Sequence, residues 1–300
     1  MKVVVTGGSG FLGSHIGDAL SAAGHETVIF DIVPSTWLRP DQKMIVGSVL
    51  NADAVAGATR GCEAIYHLAA LADIDDSLER PREAVEINIM GTVNMLEAAR
   101  AVGVRRFVFA SSIYVYSNHG SFYRTTKQAS ENLIHDYHER FGLEFTVLRF
   151  GSLYGPRADA ANGVHRLLSQ ALAERRINHY GTGDEVREYI HVLDAAAMSV
   201  DVLAPQFANQ FIHLTGRERI TSRDMLKMIS EILGGGIELN FQATSPEGHY
   251  VQTPYNYTPK LGRRLIRDTY IDLGLGLLDC LQHLDSACHD RRARGSENVS

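Results

Sequence analysis

The chain opens on a short apolar run, Val3, Val4 and Val5 between Lys2 and Thr6, which breaks at Gly7, Gly8, Ser9 and Gly10. A run without polar alternation is a strand buried on both faces, here entering a glycine turn. Over residues 11–23 the period changes. Leu12, Ile16, Ala19, Leu20 and Ala23 recur at helical spacing, and Gly24 supplies a residue that ends a helix in the left-handed conformation. A second strand over 26–30 ends at Asp31, and further buried β runs are predicted over 44–46, 64–68, 106–110 and 145–149. Helices are predicted over 81–101 and 125–140, followed by Gly103 and Gly142. This alternation predicts an α/β protein, a doubly wound parallel sheet with helices on both faces.

After about residue 155 the rhythm loosens. A helix is predicted over 164–175, a strand over 210–214, and a helix capped by Ser222 that runs to 233 and stops at Gly234, Gly235 and Gly236. A turn-rich stretch over 244–259 precedes an amphipathic helix over 273–284, and 289–300 reads as a frayed polar tail. Nothing near 155 has linker composition. The second part is therefore expected to be a smaller lobe of loops and helices over the carboxyl edge of the sheet.

Composition narrows the function classes. With 300 residues, the chain suits one large α/β unit or a main domain carrying a smaller one. Hydrophobic residues at 45% against 21% charged exclude disorder and point to a soluble globular protein. The net charge of −6, with no basic stripe, argues against a nucleic-acid partner. Cys62, Cys280 and Cys288 are odd in number and widely spaced, so neither a disulfide framework nor a zinc site is expected, and a reducing cytoplasm fits best. No apolar run reaches signal-peptide or membrane-spanning length, so no membrane partner is expected. His135 and His138, beside Asp136 and Glu139, read as a wet polar helix face and not as a metal site.

The glycine turn carries the first candidate chemistry. TGGSGFLG, from Thr6 to Gly13, fits GxxGxxG through Gly7, Gly10 and Gly13, and GxGxxG through Gly8, Gly10 and Gly13. Between a strand and a helix, such a turn brings backbone N–H groups up to a pyrophosphate. Asp31, at the end of the second strand, is placed to bond both hydroxyls of an adenosine ribose and to repel a 2′-phosphate, which favours NAD over NADP. Tyr123 and Lys127 stand one helical turn apart on one face, where an ammonium lowers a phenol's pKa for acid–base work. Ser111 and Ser112 end the preceding strand, where a hydroxyl reaches the same substrate oxygen.

Several further motifs follow in order: HLAA at 67–70, NIMGTVNMLEAA at 88–99, FASSIYVY at 109–116, YRTTK at 123–127, LRFGSLYGPR at 148–157 and GTGDEVREYIHVLD at 181–194. Over about residues 1–235 the chain resembles the extended short-chain dehydrogenase/reductases, in particular the NAD-dependent nucleotide-sugar epimerase/dehydratase group. That resemblance implies a Rossmann domain over 1–155 that holds NAD, and a lobe, mainly 156–288, that grips a nucleotide sugar. It implies Ser112, Tyr123 and Lys127 as the catalytic set. It also implies Gly7, Gly10, Phe11, Leu12 and Gly13 at the pyrophosphate, Asp31 at the ribose, and Leu68, Ala69, Ala70, Asn88 and Phe150 on the nicotinamide side. Ser152, Tyr180 and Arg187 are implied at the substrate, the arginine at its diphosphate, with a surface ion pair to Glu185 or Glu188 as the alternative for Arg187. Ser48 and Val49 stand where relatives carry an aspartate near the adenine, and Arg263 and Arg264 read as a solvated basic pair. The two helices over 81–101 and 125–140 carry surplus apolar residues, and the resemblance implies a homodimer across them.

The reactions in this group diverge once the sugar has become a ketone. Relatives that eliminate water or decarboxylate resemble one another in carrying a carboxylate just after the catalytic Ser or Thr; here those positions are Ile113 and Tyr114. A 4-epimerase of a UDP-type sugar, in polysaccharide or glycoside assembly, is therefore the expected activity. An NAD(P)-dependent reductase of a 4-keto nucleotide sugar, a dehydratase and a non-catalytic dinucleotide sensor remain as alternatives.

Overall fold

The computed structural model describes residues 1–242, 262–265 and 269–296, with side chains as far as 286. The stretch expected over 244–259 and the side chain of Cys288 lie outside the described residues. The first half runs β1 (Lys2–Thr6), α1 (Phe11–Ala22), β2 (Glu26–Asp31), β3 (Gln42–Val46), α2 (Ala52–Thr59), β4 (Ala64–His67), α3 (Ile74–Glu79), α4 (Pro81–Val85), a π-helical turn (Glu86–Met90) and α5 (Gly91–Val102). It continues through β5 (Arg106–Ser112), a 3-10 turn (Ile113–Tyr116), α6 (Ser121–Phe141) and β6 (Phe145–Phe150). The second half runs β7 (Ser152–Tyr154), α7 (Gly163–Glu174), β8 (Arg176–Tyr180), β9 (Val186–Arg187), β10 (Tyr189–His191), α8 (Val192–Asp201), β11 (Gln210–Leu214), β12 (Ile220–Thr221), α9 (Ser222–Ile232), β13 (Glu238–Gln242), β14 (Arg263–Arg264) and α10 (Leu273–Ser296).

Eight strands form one sheet in the order β14-β11-β6-β5-β4-β1-β2-β3, and every pair in it is parallel. The chain winds outward from β1 to β3, returns beside β1 as β4, and winds the other way. The carboxyl ends of β1 and β4 therefore open the crevice where doubly wound sheets hold ligands. The pleat divides the core: Val4, Phe30, Phe107 and Phe145 pack on one face with Met95 and Leu96 of α5 and Ile134 of α6. Val3, Val5, Ile29 and Tyr66 pack on the other with Ile16 and Leu20 of α1 and Ala195 of α8. A third core of Leu168, Ile177, Met225, Leu226 and Leu277 supports the lobe, which also holds the two-stranded pairs β10-β7, β12-β9 and β13-β8.

The structure departs from the sequence expectations in several places. The helix expected over 81–101 is broken by the π-helical turn, where Asn88 faces inward. Thr221, and not Ser222, caps α9, because its side chain accepts from Asp224 N. The polar tail is helical as far as Ser296, in keeping with its arginines and alanine, which are good helix formers. Arg264 is more than a solvated cation: it reaches Gly216 O and lies 4.0 Å from Glu188. Residues after 155 also do not all join the lobe, since α8 packs on the Rossmann core while β11 and β14 extend its sheet.

Candidate active site

Glycine is required in the first turn by close approach. Gly7 has φ +68°, and a Cβ there would stand 2.8 Å from Ala69 N; a Cβ on Gly13 would stand 2.1 Å from Gly7 O. The turn is tied to β2 through Asp31, whose carboxylate accepts from Ser9 N (2.9 Å) and Ile32 N (2.7 Å). A buried chain of hydrogen bonds ties it to β4. Thr6 Oγ1 accepts from Leu68 N (3.2 Å) and Ala69 N (3.1 Å), which leaves its hydroxyl to donate to His67 Nδ1 (2.8 Å). The other imidazole nitrogen then donates to Thr92 Oγ1 (3.0 Å), which donates to Asn88 O (2.6 Å). This relay requires a neutral imidazole, and burial pulls the His67 pKa down to about 3.

That displacement has a measurable consequence. The pKa of His67 is lower in the fold than in the unfolded chain, so its contribution to stability is full above the unfolded value near 6.5 and is lost as the pH falls toward about 3. The loss is about 1.4 kcal/mol per pH unit across that window. His213, pulled down to about 4 by burial, acts in the same direction. The thermal midpoint is expected to be lower at about pH 5.5 than at about pH 7.5. Equal midpoints would show that neither imidazole is held neutral.

Ser112 ends β5; its side chain accepts from Tyr114 N (3.2 Å) and faces Tyr123, whose phenol it helps to ionise. Lys127, one turn along α6, donates from Nζ to Ala110 O at 2.7 Å and lies 5.8 Å from the centre of the Tyr123 ring. Burial raises the phenol to about 12 against the opposing bond from Ser112, and burial lowers the lysine to about 8 against the attraction of Glu131. The expected lowering of the phenol by the lysine is therefore not seen in the protein alone: the ammonium is committed to a backbone carbonyl and desolvation dominates.

Behind this set lies a buried ion pair that the sequence reading missed. Glu131, one turn beyond Lys127, accepts from Ser111 Oγ (2.6 Å) and from Arg149 Nε (3.0 Å) and Nη2 (2.6 Å). Arg149 also donates to the Tyr116 hydroxyl, which is bonded to His213. The pair locks α6, β5 and β6 together under Ser112, Tyr123 and Lys127.

Two cavities meet at this edge. The first, of about 670 Å³, is lined by Gly7, Gly10, Phe11, Leu12, Gly13, Asp31, Leu68, Ala69, Ala70, Ser112, Tyr123, Lys127 and Phe150. Ser48 and Val49 line it as well. Asn88 is not in that lining; its side chain holds Leu71 N (2.7 Å), Leu71 O (3.1 Å) and Thr126 Oγ1 (2.9 Å), bracing the wall from behind. The second cavity, of about 620 Å³, brings together Ser152, Tyr180 and Arg187 and shares Ala72 and Leu153 with the first. Glu185 bonds His179 (3.0 Å), Thr182 N (2.8 Å) and Gly183 N (3.0 Å), while Glu188 faces Arg219 and Arg264. Asp73, Tyr114, Asn162 and Arg166 also line this cavity; of these only Asn162, a polar residue just ahead of an apolar helical period, carries a local sequence signal, as a cap.

The first cavity fits NAD. The two glycines leave room for a pyrophosphate against the start of α1, and the Asp31 carboxylate stands at the end of β2, where a ribose is held.

Comparison with known proteins agrees with this geometry. The chain is 29% identical over 269 residues, 80% of its length, to the uncharacterized UDP-glucose epimerase YtcB of Bacillus subtilis (strain 168), covering 85% of that protein. It is 27% identical over 298 residues to a dTDP-glucose 4,6-dehydratase of Streptomyces antibioticus, covering 89% of each chain. A UDP-glucose 4-epimerase of Thermus thermophilus, solved with NAD, superposes with a TM-score of 0.82 at 27% identity, over 96% of this chain and all of that one. The model of the NAD dependent epimerase/dehydratase family matches residues 3–210. That match spans more than half of the chain, so the chain belongs to the NAD dependent epimerase/dehydratase family and is an NAD-dependent enzyme.

Proposed function

We propose that the protein is a 4-epimerase of a nucleotide sugar, most simply a UDP-sugar, and that it works through a transient 4-keto sugar. One observation carries this reading: Ser112, Tyr123 and Lys127 line the first cavity, which shares Ala72 and Leu153 with the second, and the positions after Ser112 hold the buried Ile113 and the half-buried Tyr114 in place of a carboxylate. Neither side chain acts as an additional acid or base at neutral pH, so the carboxylate that relatives which eliminate or decarboxylate carry just after the catalytic Ser or Thr is missing from those positions.

The residues take these roles. The second cavity grips the nucleotide diphosphate, with the Arg187 guanidinium suited to phosphate oxygens. Ser112 orients the sugar hydroxyl toward Tyr123, which takes its proton and later returns it. When bound, NAD supplies a hydride acceptor at the sugar carbon and a cationic ring that favours ionisation of Tyr123. Lys127, held by Ala110 O, places a second positive charge under the phenolate. The proton thus stays on Tyr123 while the ketone turns, and the same residue serves both halves of the reaction.

Purified protein incubated without added cofactor with UDP-glucose, UDP-N-acetylglucosamine and UDP-glucuronate is expected to give a new C4-epimer signal among the anomeric protons by NMR. Turnover that consumes stoichiometric reduced cofactor would instead identify a keto-sugar reductase. The same reading includes a homodimer across α4, α5 and α6, where Val85, Met90 and Phe141 remain exposed. Light scattering is expected to give twice the chain mass, and a monomer at micromolar concentration would refute that part.

A further inference from the structure

The second cavity distributes its charge unevenly. Its charged lining residues are Asp73, Arg166, Glu185 and Arg187. Both arginines belong to the lobe, Arg166 on α7 and Arg187 on β9, and Glu185 is engaged by His179 and two backbone N–H groups. On the Rossmann side, next to the catalytic residues, the wall is Ala72, Asp73, Ile74 and Tyr114, and its one charge is the Asp73 carboxylate. Asp73 caps α3, and both N–H groups it accepts, from Asp75 (2.8 Å) and Asp76 (3.0 Å), fall on Oδ1. Oδ2 is left to meet whatever enters.

Tyr114 belongs to the same wall. Its ring stands edge-on to Tyr123, with centroids 6.5 Å apart. Gly120, at φ +94°, packs so closely that a Cβ there would stand 2.6 Å from Tyr114 Cδ1. The short connection between Ser112 and Tyr123 thus brings Tyr114 edge-on to the catalytic tyrosine, and the reacting sugar meets a wall that carries both an aromatic ring and a carboxylate. Lys127, the nearby cation, is committed to Ala110 O.

We propose that Asp73, backed by Tyr114, makes the site select sugars without a negative charge and reject uronates. This rests on the reading of the protein as a nucleotide-sugar enzyme. A diphosphate finds its cations in the lobe, whereas a sugar carboxylate would face Asp73 with no cation among the described residues of that wall to offset it, so rejection comes from an unpaired like charge. A sugar hydroxymethyl group in the same place donates a hydrogen bond to Oδ2.

The test compares two nucleotides that differ only at C6, UDP-glucose and UDP-glucuronate. Calorimetric titration of the NAD-loaded protein reads binding, and NMR of the same samples reads turnover, so that failure of epimerisation is seen separately from failure of selection. The wild type is expected to bind UDP-glucose at least about tenfold more tightly than UDP-glucuronate. Asp73→Asn keeps a capping side chain on α3 and is expected to narrow that ratio about tenfold; being a ratio, it is insensitive to any loss of folded protein. Equal wild-type affinities, an unchanged ratio in Asp73→Asn, or binding of neither nucleotide would overturn the proposal.

Discussion

Replacement of Tyr123 by phenylalanine is expected to lower kcat by about a thousandfold, the scale of a well-placed general acid–base group, with little change in NAD content or nucleotide-sugar affinity. The ring remains, so its edge contact with Tyr114 and the wall of the first cavity are preserved. What disappears is the phenol beside Ser112 that can take a proton from a sugar hydroxyl and give it back. Single-turnover kinetics of cofactor reduction, followed by absorbance, would show the hydride step slowed in proportion. A variant within about tenfold of wild type would remove Tyr123 from the chemistry.

The largest expected effect on stability is at Arg149. Its side chain is 1% exposed and balances the nearly buried Glu131. Arg149→Met leaves that carboxylate in the interior with Ser111 Oγ as its remaining donor of the three, and also removes the donor to the Tyr116 hydroxyl. Removing one partner of such a pair costs about 3–5 kcal/mol, whereas replacing both with apolar residues of similar volume costs far less. The thermal midpoint of Arg149→Met is therefore expected to fall sharply, and Arg149→Met with Glu131→Leu is expected to recover most of the loss. If the double variant were no more stable than the single one, the uncompensated charge would not be the source of the damage.

The fold and the cofactor cavity were largely legible in the chain, for identifiable reasons. Strands β1 to β6 are apolar runs bounded by glycines or strand-end polar residues, and each was anticipated to within a few residues. Gly7, Gly10, Gly13, Asp31, Ser112, Tyr123 and Lys127 lie in short stretches whose spacing alone puts them at strand ends or on one helix face, and all of them line one cavity. Asn88 shows the limit of matching by motif: its position was recognised, but its amide is spent on Leu71 and Thr126. The lobe was read poorly. Strands such as β9 and β12, each two residues long, have no period to detect and exist because their partners lie far away in the chain. Helices α2 and α3 were missed because each is too short for a convincing amphipathic stripe.

By itself, the sequence determined the winding of strands and helices, the turn at the mouth of α1 and the tyrosine–lysine spacing on α6. These follow from local periodicity and from backbone conformations that glycine adopts most readily, neither of which needs a distant partner. Only the tertiary structure decided that Glu131 meets Arg149, that Tyr114 is pressed against Tyr123 by Gly120, and that Asp73 faces the same cavity as Arg187. Those meetings join residues on separate elements, and their energies come from desolvation and charge, which depend on the surroundings that the folded chain creates.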